Sequence, residues 1–179
     1  MNYILLQKIK EGGKLEIIRR DQNDENSPEI GFRIAGVATT FNQRNENGGI
    51  FQSGDFDKTV REYFKKNGIN MTCPVEHEFS FDNRGIFETV EDTGETLNVS
   101  AIFYADCCSK YEVIKNQVLR GILQGFSTYG WVYDNGDVFL DSISLVANPA
   151  DTGSKLFKNT KYIGFEEEEA LLPADNSIL

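Results

Sequence analysis

The segment 125–146, "GFSTYGWVYDNGDVFLDSISLV", constrains this chain more than any other. Strand-like runs rich in aromatic and aliphatic residues flank Asn135-Gly136. Asn-Gly is the strongest two-residue hairpin signal, because a type I′ turn needs positive φ at both central positions. With Asn135 and Gly136 as the loop, Asp134 pairs with Asp137, which sets Ser127 opposite Ser144 and Tyr129 opposite Ser142. Directly opposed residues share a face of the ladder. Ser127, Ser142 and Ser144 therefore point one way, and Asp141, opposite Gly130, points the other. A one-residue bulge would bring Asp141 to the serine face, since the side-chain period along a strand is two.

The rest of the chain reads as short strands and two helices. "YILLQKIKEGGKLEIIRR" is a hairpin pattern around Gly12-Gly13, "DQNDENSP" is a polar, turn-rich linker, and "IGFRIAGVATTF" is a strand. In "SGDFDKTVREYFKKNG" Phe56, Val60, Tyr63 and Phe64 recur at helical spacing, with Ser53 or Asp55 as N-cap and Gly68 as the stop. "NMTCPVEHEF" is an extended piece ending near His77, and "GIFETVEDTGETLNVSAIFY" is two strands about a tight turn. A second helix, "CSKYEVIKNQVLRG", turns Tyr111, Ile114 and Val118 to one side and has Gly121 just past its end. The expected fold is mainly β with helices (α+β), a bent sheet or β-barrel flanked by at least two helices. One domain is expected over 1–164, and "FEEEEALLPADNSIL" at 165–179 reads as an acidic, mobile tail.

Composition narrows the function. Eighteen Lys+Arg against 28 Asp+Glu give a net charge of −10, which argues against nucleic acid as the main partner. No apolar run approaches the ~20 residues needed to span a bilayer. "MNYILLQKIKEGG" lacks a signal-peptide core, so a soluble, unexported protein is expected, without membrane partners. Three cysteines, two of them adjacent at Cys107 and Cys108, do not form a disulfide framework and fit a reducing compartment. His77 is the only histidine in the chain, so any imidazole chemistry must run through it. Cys73 and His77 would need Cys107 and Cys108 to complete a zinc site, and no metal or other cofactor is expected. A cysteine nucleophile at Cys73 is disfavoured, because four residues of extended chain separate it from His77 by roughly 13 Å.

Several blocks between 34 and 156 resemble, in order, those of the HK97-type phage prohead (capsid maturation) serine proteases, a family related in fold to the herpesvirus assemblins. The blocks are "IAGVATTFN", "GGIFQSGDFDKTV", "VEHEF", "VEDTGETLNVSAIF", "LRGILQGFSTYGW" and "DSISLVANPAD". The resemblance implies a barrel of the herpesvirus-protease type, with Ser127 as nucleophile and His77 as general base. It implies an endopeptidase, with the major capsid protein and scaffold as substrates. It also implies self-cleavage, a homodimer or higher homo-oligomer, and action in the bacterial cytoplasm inside the assembling prohead.

The family's acid position falls on Ser142, where this chain departs from the pattern. Asp141 through a bulge, or Glu76, Glu78 or Glu88, are the carboxylates that would orient His77; otherwise serine and histidine act as a dyad. Asn148 and the backbone around Ala147 are the candidate oxyanion donors. Two other readings stand beside the protease. One is a catalytically weak or inactive protease-fold assembly protein of a prophage; the other is a binding barrel unrelated to phage.

Overall fold

A computed structural model describes residues 15–60, 71–78 and 83–156. The first strand of the expected N-terminal hairpin, the C-terminal part of the first helix and the acidic tail lie outside the described residues. What is described is mainly β with two helices, as expected for an α+β chain.

Five strands form one antiparallel sheet: β1 (Glu16–Arg19), β2 (Glu29–Thr40), β3 (Thr72–Pro74), β4 (Arg84–Asp92) and β5 (Thr96–Tyr104), in the order β1-β2-β5-β4-β3. β6 (Gly125–Val132) and β7 (Val138–Val146) pair as a separate hairpin. The long β2 is buried almost throughout because both of its faces are covered. Phe32, Ile34, Phe87, Val99, Phe103, Phe126, Ile143 and Leu145 belong to the single core between the hairpin and the sheet.

Contacts along two seams join the two sheets. Val75, just past β3, bridges in parallel to Leu145 of β7. Gly36 of β2 bridges to Leu156, and Leu156 N donates to Gln124 O at 3.1 Å beside the start of β6. Ser154 seals the same seam: its hydroxyl accepts from Phe126 N at 3.0 Å and lies 2.7 Å from Val37 O. The hairpin is therefore held across the sheet at both of its edges.

Helix α1 spans Asp57–Val60 among the described residues. Helix α2 (Tyr111–Leu119) buries Tyr111, Ile114 and Val118, the face predicted from spacing, and the Tyr111 ring lies against Phe32 of β2. It ends in a Schellman motif: Ile122 N donates to Gln117 O and Gly121 N to Val118 O, with Gly121 at φ 70°.

Candidate active site

The β6–β7 hairpin reaches the expected register by an unexpected route. Its loop has three residues, not two: Tyr133 N donates to Asp137 O at 2.8 Å, Gly136 N donates to Tyr133 O, and Gly136 has φ 88°. A type I turn followed by a left-handed glycine is the common three-residue solution, and it shifts the ladder by one position. Val132 thus faces Val138, Trp131 faces Phe139 and Gly130 faces Leu140. The ladder then slips between Tyr129 and Gly130, where Asp141 is the extra residue of a bulge. Beyond it Tyr129 faces Ser142 and Ser127 faces Ser144. The two offsets cancel, so the three serines share one face, as the sequence predicts.

His77 is delivered to that face by a strained turn. Glu78 N donates to Val75 O at 3.0 Å, and the two central residues, Glu76 and His77, have φ of 53° and 59°. The left-handed region costs an ordinary residue roughly 1–2 kcal/mol, so glycine or asparagine usually fills such places. Three bonds to the end of β7 and the residue after it hold the turn. Glu76 N donates to Leu145 O at 2.9 Å, Ala147 N donates to Glu76 Oε1 at 2.6 Å, and His77 Nδ1 is hydrogen-bonded to Ser144 Oγ at 3.0 Å. Strain that the surroundings enforce is concentrated at functional sites.

The imidazole is exposed and stands edge-on to Tyr129, with ring centroids 6.5 Å apart. Ser127, Ser142 and Ser144 are buried beneath this region at 8%, 3% and 0% exposure. Ser142 Oγ has no hydrogen-bond partner among the described residues. A buried hydroxyl left so costs about 1–3 kcal/mol. Tyr129, Trp131 and Tyr133 are exposed, and Trp131 stacks on Phe139 with ring centroids 5.5 Å apart.

None of the carboxylates considered as partners of His77 is hydrogen-bonded to it among the described residues. Glu76 accepts from Ala147 N. Glu78 lies 3.4 Å from Asn83 Nδ2 and 3.7 Å from Lys110 Nζ. Glu88 accepts from the Arg33 guanidinium and from Ser100. Asp141 is exposed on the bulge, and no hydrogen bond joins it to His77 among the described residues. The partner that sequence reasoning missed is Ser144. Its place opposite Ser127 was legible; that the histidine would seek it was not.

Electrostatics separates the other candidates. Cys73 is fully buried, and burial pushes its thiol far above the ordinary range, only partly opposed by a backbone hydrogen bond from Leu145, so no thiolate nucleophile forms there. Among the described residues no three His, Cys, Asp or Glu side chains converge on a metal-sized site.

No protein-family model matches this sequence, and no curated protein matches it either.

Proposed function

We propose that this chain is a serine endopeptidase of a tailed phage or prophage that cleaves capsid-protein and scaffold extensions during prohead maturation. The observation that carries this reading is the meeting of the chain's single imidazole with the serine-bearing face of the β6–β7 hairpin, on a turn strained to hold it there. The ordered motifs supply the rest. The contacts that tie Val75 to Leu145 and Gly36 to Leu156 favour a barrel of the herpesvirus-protease type, in which the hairpin completes the wall begun by the five-stranded sheet.

In this mechanism His77 Nε2 takes the proton of Ser127 Oγ as that oxygen attacks a peptide carbonyl carbon. The tetrahedral oxyanion collapses, the C–N bond breaks, and the same proton passes from His77 to the leaving amine. Water, deprotonated in turn by His77, hydrolyses the acyl-enzyme. Of the expected oxyanion donors, the Ala147 N–H already serves Glu76, which leaves the Asn148 amide. With no carboxylate on Nδ1, the rate falls by about 10⁴ from a full triad, against about 10⁶ for loss of serine or histidine. Confinement at high concentration inside a prohead in the host cytoplasm, with few bonds to cut, suits so slow an enzyme. Assembly as a homodimer or higher homo-oligomer belongs to the same reading.

A second reading, a protease-fold assembly protein without activity, is favoured by one observation. Ser142, at the family's acid position, is buried and unbonded among the described residues, as a residue left over from a lost carboxylate would be. Intact mass over time of the concentrated protein separates the two. Loss of a terminal segment by the wild type, with Ser127→Ala and His77→Ala staying whole, supports the protease. If the wild type also stays whole with capsid protein added, the assembly protein takes its place.

A further inference from the structure

We propose that Ser144 is the positioning residue for His77, holding it in the Nδ1–H tautomer so that the Nε2 lone pair is free to serve Ser127. This rests on the serine-hydrolase reading of Ser127, but the tautomer itself can be measured whether or not the protein cuts anything.

His77 Nδ1 and Ser144 Oγ are 3.0 Å apart, and either atom can donate. If the hydroxyl donated, Nδ1 would be the basic nitrogen and Ser144 the activated oxygen. Burial argues against that assignment. Ser144 is 0% exposed, whereas Ser127, directly opposite, is 8% exposed. A peptide carbonyl must come within bonding distance of the attacking oxygen, and Ser127 is the less enclosed of the two residues. The reverse assignment, Nδ1–H donating to Ser144 Oγ, reproduces the division of labour in a Ser-His-acid site. There one ring nitrogen is fixed by a partner, and the other is left to move the proton.

The turn explains why a hydroxyl can do this. Glu76 N and Glu76 Oε1 pin the turn to Leu145 and Ala147, on either side of Val146 and next to Ser144. The ring is thus located by backbone contacts before the Ser144 bond forms. The hydroxyl has only to choose the tautomer. A neutral acceptor stabilises imidazolium less than a carboxylate does, so the gain is that of a single neutral hydrogen bond, about 3- to 10-fold in rate.

One histidine in the chain makes the test clean. Long-range ¹H–¹⁵N spectra of the whole protein above the imidazole pKa read the His77 tautomer directly. The expected result is Nδ1–H in the wild type and in Ser144→Thr, and a shift towards Nε2–H in Ser144→Ala. In parallel, a fluorophosphonate probe should label Ser127 in all three, about 3- to 10-fold more slowly in Ser144→Ala. An Nε2–H wild type, an unchanged tautomer in Ser144→Ala, or a label found on Ser144 would each overturn the proposal. Should Ser144→Ala not fold, the wild-type tautomer and the labelled residue still decide. A shifted tautomer with no labelling of any form would keep Ser144 as the partner of His77 and sink the hydrolase reading instead.

Discussion

Ser127 and Ser144 stand directly opposite one another across β6 and β7, and it is Ser144 that His77 engages. One position of the pair is thereby tied to the only imidazole in the chain, and the other is the less enclosed of the two residues. The pairing depends on a three-residue loop at one end of the hairpin and a bulge at Asp141 nearer the serines.

Asp141 is the extra residue of that bulge and lies in solvent. Asp141→Asn is therefore expected to leave Ser127 labelling unchanged and to alter stability by no more than about 0.5 kcal/mol, as exposed positions do. A loss of labelling on the scale of a missing triad acid would return Asp141 to the catalytic machinery.

The hairpin was legible because its signals are local: alternation sets faces, and an Asn-Gly pair announces a turn. The loop length and the bulge were not, because a glycine at positive φ satisfies a two- or a three-residue loop equally well. Which register survives depends on which residues the rest of the fold buries, and that is not a local signal. Helix α2 was read closely, from the spacing of Tyr111, Ile114 and Val118 to Gly121, since every one of those signals lies within three turns. His77 could be named from its singularity and its motif. Its partner could not, because the turn carrying it puts Glu and His where local preference would put Gly or Asn.

Arg33, in β2, lies buried between Glu16, at 2.7 Å, and Glu88. Arg33→Met withdraws the guanidinium from a buried carboxylate and is expected to cost about 3–5 kcal/mol in urea unfolding. Glu88→Gln should cost clearly less, because Glu88 is partly exposed. Equal losses would mean that solvent reaches the whole cluster.

The seam between β2 and the 154–156 segment admits no side chain at position 36. A Cβ on Gly36 would sit 2.3 Å from Lys155 O and 3.0 Å from Leu156 Cα. Gly36→Ala should therefore destabilise by about 1–3 kcal/mol through overpacking. Ser154→Ala should cost a similar amount, about 1–3 kcal/mol, by stranding the buried Phe126 N–H. If both variants unfold at the wild-type midpoint, the segment does not close the hairpin onto the sheet.

Asp92 clips the loop before α1 to the β4–β5 turn. Partial burial raises its carboxyl pKa, but N–H bonds from Gly54 and Gly94 and the Ser53 hydroxyl outweigh that and hold it below the usual range. A depressed folded-state pKa gives stability that is present above the unfolded-state value and lost as pH falls through the folded one. The protection factor of the Gly54 amide, its exchange relative to the intrinsic rate at each pH, should fall as acid takes the pH through the carboxylate range, and Asp92→Asn should remove that fall. A protection factor that shows no such fall in the wild type would contradict the clip.

The most direct measurement is the site of a fluorophosphonate adduct, located by peptide mapping in the wild type, Ser127→Ala and His77→Ala. Modification of Ser127 alone in the wild type, abolished in both variants, is the result expected of a nucleophile activated by His77. Labelling that persists in His77→Ala, or that falls on another serine, would contradict it.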